Sequence, residues 1–154
     1  MNQYSAGLRN LLKGDLKKAL KNYLKASELY VKNKDIEKTK RIFNEIGYIF
    51  REYAETQVWR TKDKERILLN YLISALYFLQ AKNKEKLLES LSLAEAIYEV
   101  SHNEISLKYK ALKVFVEALC GYKVDRIFDE IDYLTQRWSD SGYRKKKKLH
   151  GAYI

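Results

Sequence analysis

Arg9, Lys13, Lys17, Lys21 and Lys25 recur every four residues. On an α-helix that spacing gathers side chains on one face, because a turn takes about 3.6 residues. Like charges so placed repel, at roughly 0.2–0.5 kcal/mol per pair. Helix propensity would be served as well by Glu. The row reads in one of two ways: as an ordinary solvated face, or as the edge of a site for an acidic partner, phosphate or carboxylate. Gly14 interrupts it, so Lys17, Lys21 and Lys25 share a helix face while the alignment of Arg9 and Lys13 with them is open.

A second basic element is the run Arg144, Lys145, Lys146, Lys147 and Lys148, flanked by Tyr143, His150 and Tyr153. Cations of this kind meet phosphates while exposed bases stack on the rings, without sequence readout. The alternatives are a nuclear address, a solubilising tail, or a segment folding back on Asp125, Asp129 and Asp132. Trp59 stands at a helix end before the charged stretch RTKDKER, placed as an anchor for a partner or as core.

Catalytic groups are sparse. Glu99 and His102 form a single Glu-x-x-His, whereas a di-iron bundle takes two such pairs and two further glutamates. Cys120 has no histidine or basic neighbour in sequence to lower its pKa and reads as buried filler. There is no glycine-rich phosphate loop, no HExxH and no paired-cysteine spacing. The acids Asp125, Asp129, Glu130 and Asp132 read as a solvated face. The sequence therefore predicts a protein that is not an enzyme, with no cofactor and no metal.

These groups need a scaffold, and 154 residues are enough to supply one without staples, burying roughly 68–70% of the unfolded surface. A single cysteine excludes an internal disulfide and favours a reducing, cytoplasmic setting. The longest uncharged run, Ile67 to Ala81, is shorter than the about 20 residues that span a bilayer, so no membrane span is expected. No signal peptide is legible at the start. The net charge of +10 is localised: residues 9–41 carry +7, residues 137–148 carry +5, and residues 42–136 carry −2. Basic character thus belongs to one end of the helical body and to the C-terminal segment.

Periodicity predicts seven helices and no strand. The first spans about Asn2 to Leu12 and stops at Gly14. Asp15 caps the second, with the stripe Leu16, Ala19, Leu20, Tyr23, Leu24, Ser27, Tyr30 and Val31. Asp35 caps the third, with Ile36, Ile42, Phe43, Ile46, Ile49, Phe50, Tyr53 and Val58. The fourth is the apolar run, the most buried. The fifth shows Leu87, Leu91, Ala94 and Tyr98. Asn103 is the expected cap of the sixth, from Glu104 to about Cys120, with Gly121 as its stop. The seventh carries Val124, Ile127, Phe128, Ile131, Leu134 and Trp138. Gly47, in mid-helix, suggests close helix approach. One helical domain over 1–139 and a basic tail over 140–154 are expected.

Short turns between these helices make antiparallel neighbours. The residues resemble the tetratricopeptide-repeat (TPR) family. Tyr23, Ala26, Ser27 and Tyr30 match its first helix, and Thr39, Phe43 and Ile46 its second. A second register runs through Gly7, Gly14–Asp15, Ala19, Tyr23 and Ala26. A third match runs through Tyr71, Ser74, Ala75, Phe78, Leu87, Leu91 and Ala94. The departures are a spacing other than 34 residues and the absence of the closing proline. The resemblance implies a TPR-like α-solenoid, with an irregular helical bundle as the alternative fold. It also implies a scaffold that holds a protein or peptide partner in a groove. The alternative function is RNA or DNA binding through the basic face and tail.

Overall fold

The computed structural model describes residues 2–60, 62–123 and 129–139. Among these residues the protein is all-α, with seven α-helices, one 3-10 turn and no strand. The helices are α1 (Gln3–Leu12), α2 (Leu16–Lys32), α3 (Ile36–Arg60), α4 (Lys64–Gln80), α5 (Lys84–Val100), α6 (Leu107–Leu119) and α7, described over 129–139. The chain forms two compact units, Met1–Ile105 and Ser106–Ile154.

In the first unit, α1 packs on α2, α2 on α3, α3 on α4 and α4 on α5. One two-residue device makes three of these reversals. Gly14, Lys34 and Lys82 take left-handed φ values of 76°, 57° and 57°. The next residue, Asp15, Asp35 or Asn83, accepts the backbone N–H of Lys18, Lys38 or Lys86 at 3.2 Å and so caps the following helix. The left-handed residue also closes the preceding helix. Its N–H bonds the carbonyl three residues back, and the next N–H bonds the one five back: Lys82 to Leu79 at 3.0 Å and Asn83 to Phe78 at 2.9 Å. Asp63 caps α4 in the same manner, accepting from Arg66 at 3.1 Å.

These turns set a register. Asp15 and Asp63, Asp35 and Asn83, and Lys34 and Lys82 are each 48 residues apart. On the same spacing Tyr23 answers to Tyr71, Ala26 to Ser74 and Ser27 to Ala75, all six buried. Small pairs here let neighbouring helices approach, while the tyrosines supply buried area. Gly47 does what its mid-helix position suggests: a Cβ there would lie 2.8 Å from the Phe78 ring. Gly7 likewise faces the Tyr23 ring. Helix α4 carries the largest share of the core, with Ile67, Leu68, Tyr71, Leu72, Ser74, Ala75 and Phe78 buried.

Two expectations change. Val31 and Ile36 fit the apolar stripes but are exposed, because both flank the α2–α3 turn, where the stripe runs past its covering neighbour. Asn103 does not cap α6. Residues His102–Glu104 form a 3-10 turn, Ile105 is buried in extended backbone, and Ser106 becomes the N-cap. Burying Ile105 draws the chain out of helical conformation just where the cap was expected.

In the second unit, α6 ends at Gly121, whose φ is 65°. Lys110, Lys113, Val114 and Glu117 precede Gly121 by the same intervals at which Tyr71, Ser74, Ala75 and Phe78 precede Lys82. All four are buried, and Lys113 and Glu117 form an ion pair along the helix. At three of the four positions, Lys110, Lys113 and Glu117, charge has replaced the Tyr71, Ser74 and Phe78 of the earlier hairpin.

Candidate partner-binding groove

The first unit holds a groove of about 1010 Å³ between the α1–α2 turn and the middle of α3. The turn contributes Leu11, Lys13, Gly14, Asp15, Leu16 and Lys17. Helix α3 contributes Glu45, Tyr48, Ile49, Glu52, Tyr53 and Thr56, whose three- and four-residue spacing places them on one face.

The groove is amphipathic in an ordered way. Ile49 is buried and Tyr53 half-buried, while Tyr48 stays 42% exposed. The Tyr48 ring meets Phe78 edge-on at 5.2 Å between centroids, and the Lys86 ammonium lies 5.8 Å over it. Its plane is thus fixed before any partner arrives. Glu52 is exposed and Glu45 is held from behind: its Oε1 accepts the Tyr4 hydroxyl at 2.7 Å. The other oxygen, Oε2, is buried with no hydrogen-bond partner, as is the Tyr23 hydroxyl. Burial, then the nearby Glu45 carboxylate, pushes the Tyr23 hydroxyl well above the usual tyrosine range. Arg41 lies 5.0 Å over the Tyr4 ring and completes this cluster joining α1, α2 and α3. Asp15 is occupied by capping α2 and by its 3.8 Å pair with Lys18.

The predicted residues divide as follows. Lys13 and Lys17 reach the groove rim; Lys21 and Lys25 continue along α2 outside it. Arg9 is exposed on α1. None of the five pairs with a carboxylate among the described residues, whereas neighbouring Lys18 pairs with Asp15. The Trp59 side chain, Tyr143, Arg144 to Lys148 and Tyr153 lie outside the described residues. The sequence passed over Glu45, Tyr48 and Glu52. Their signal was a second face on α3, beside the apolar stripe that drew attention.

A second, shallower cleft of about 560 Å³ lies between the start of α3 and the α4–α5 turn. Lys40, Arg41, Lys82 and Lys84 line it with Glu37 and Glu85, and Asn83 bonds Asn44 across it at 2.7 Å. Elsewhere, His102 packs edge-on to Tyr98 at 5.0 Å. Among the described residues no group of three or more His, Cys, Asp or Glu is disposed to hold a metal ion. Burial, with Glu117 nearby, pushes the Cys120 thiol up to about 11. No described helix is long and apolar enough to cross a membrane.

Comparison with protein-family models, with curated proteins and with solved structures returns no match.

Proposed function

We propose that the chain is a non-catalytic helical-repeat adaptor, TPR-like in character, that holds a segment of a protein partner in the groove beside α3. The observation that supports this reading most is the groove's make-up: a fixed, half-exposed tyrosine and an apolar floor between carboxylates on α3 and ammonium groups on the opposite rim. A polypeptide presents apolar, cationic and anionic side chains together, and interfaces centre on such aromatic anchors. The 48-residue recurrence of Tyr23, Ala26 and Ser27 in Tyr71, Ser74 and Ala75 adds the repeat pattern.

Affinity capture with the full chain at moderate salt, followed by direct binding of the recovered partner, tests it. Tyr48→Ala and Glu52→Lys should each weaken that binding several-fold or more, while Lys82→Glu, outside the groove, should not. Binding that ignores both groove substitutions removes this reading.

The second reading is nucleic acid binding. It is favoured by the unpaired Arg9, Lys13, Lys17, Lys21 and Lys25 and by the basic cleft of Lys40, Arg41, Lys82 and Lys84. It predicts RNA or DNA binding with a steep salt dependence that flattens in Lys17→Glu/Lys21→Glu/Lys25→Glu. Absence of binding at near-physiological salt eliminates it.

A further inference from the structure

The cleft beside the α4–α5 turn gathers cations that the rest of the fold leaves unmatched. Lys40 and Arg41 reach it from α3, and Lys82 and Lys84 from the turn. None of the four forms an ion pair among the described residues, although Glu37 and Glu85 line the same cleft. Four cations against two carboxylates leave the lining at +2. Arg41 lies 5.0 Å over the Tyr4 ring, which orients its guanidinium without neutralising it.

The 48-residue register separates the cations that the fold uses from those that it does not. Lys38 and Lys86 correspond, and both are occupied. Lys38 pairs with Asp35 at 3.8 Å and Lys86 with Glu89 at 3.2 Å, and each ammonium lies 5.8 Å over a tyrosine ring. Lys82 answers to Lys34 and shares its left-handed backbone. The other three answer to no cation: in place of Lys40, Arg41 and Lys84, the register has Leu88, Glu89 and Ile36. The cap differs in the same direction. Asp35 and Asn83 each accept from the following helix at 3.2 Å, but Asn83 carries no charge. It also donates to Asn44 across the cleft at 2.7 Å, a bond that an aspartate cannot make. The turn of Lys82, Asn83, Lys84 and Glu85 is thus +1 where that of Lys34, Asp35, Ile36 and Glu37 is −1, with the same geometry. Local stability runs the other way, because the first turn of a helix favours acids over a residue such as Lys84. Capping and turn geometry therefore do not account for this charge, whereas an anionic ligand does.

We infer that this cleft seats a backbone phosphate of a nucleic acid; the inference rests on the nucleic acid reading above and gives it a site. A lone phosphate needs only the cleft, yet the basic character extends beyond it. Residues 9–41 carry +7, and Lys17, Lys21 and Lys25 on α2 pair with no carboxylate among the described residues. A field of that extent suits a polymer of phosphates. The described lining holds no aromatic or large apolar side chain on which a base could stack. The contact is therefore with the backbone and carries no sequence preference.

Fluorescence anisotropy of the full chain with a short labelled duplex DNA and a single-stranded RNA, both of mixed sequence, tests this across a salt titration. Lys40→Gln/Lys84→Gln should weaken binding by about tenfold or more and lower the slope of log affinity against log salt by about two on the duplex. Lys62→Gln/Lys108→Gln removes the same charge elsewhere and should do far less. Lys84→Ile tests the site without touching half-buried Lys40: Ile36 holds the matching place in the α2–α3 turn, so the fold should persist by circular dichroism while the slope falls by about one. Binding that responds equally to both lysine pairs, or to neither, overturns the inference and leaves nucleic acid binding to Lys17, Lys21 and Lys25. Absence of binding at near-physiological salt removes the nucleic acid reading and the inference together. Tighter binding of a phosphoserine peptide, or of vesicles containing phosphatidylserine, that is lost in Lys40→Gln/Lys84→Gln overturns it in favour of that ligand.

Discussion

Single side chains here are tuned by burial more than by partners. Cys120 is the clearest case. With its thiol pushed up to about 11, almost none of it is thiolate at neutral pH. A disulfide reagent should label the native chain slowly near neutrality, with the rate climbing steadily as the pH is raised. Fast labelling at neutral pH would contradict the burial described. Tyrosines extend the theme. Burial, as the largest cause, raises Tyr4, Tyr23, Tyr53, Tyr71 and Tyr77 above the ordinary value. A folded pKa above the unfolded one gives stability that is fully present below the unfolded value, about 10, and is lost as pH rises above it. Alkaline unfolding should therefore set in above about pH 10, and Tyr23→Phe should make that limb shallower. An unfolding free energy that stays flat through this range would count against the tyrosine burial.

Elements are decided at their contacts and their ends. Alanine at position 47 would gain about 1 kcal/mol of helix propensity over glycine. Its Cβ would also sit 2.8 Å from the ring of fully buried Phe78. Overpacking costs about 1–3 kcal/mol, so Gly47→Ala should lower stability in a urea titration despite the better propensity. Gly14 offers the contrast: nothing lies within 4 Å of an added Cβ, and only the left-handed φ of 76° opposes substitution. Lys34 and Lys82 already tolerate that conformation. Gly14→Ala should cost only about 1–2 kcal/mol, with the groove rim intact. Arg51 joins helices on another principle. It donates from Nη1 to Glu89 of α5 at 2.6 Å and from Nε to Glu55 of its own helix at 3.1 Å; Lys86 also reaches Glu89, at 3.2 Å.

For the whole molecule, that network gives a pH handle on the acid side. Hydrogen bonds from Arg51, then Lys86, hold the Glu89 carboxyl below its ordinary value. Its contribution is present above the unfolded pKa and is lost as pH falls through the lower folded one. Glu89→Gln should thus be less stable than the unaltered chain at neutral pH, with the gap closing below about pH 4; a gap independent of pH would refute the assignment. At the same scale the legibility of the sequence divides cleanly. The all-α class, the seven helices and the caps at Asp15 and Asp35 followed from local chemistry: helical periodicity, short polar caps, and residues that accept left-handed backbone. The cap of α6 was misread because burial of Ile105, a tertiary effect, overrode the local signal. The groove was half legible. Lys13 and Lys17 stood out as charges, but Glu45, Tyr48 and Glu52 gained meaning only when the α1–α2 turn came to lie over α3. Local signals decide where a helix begins and ends, because they act within one turn of chain. Which of its faces meets a neighbour, and which stays open to a partner, depends on residues far apart in sequence, and only the tertiary structure decided that.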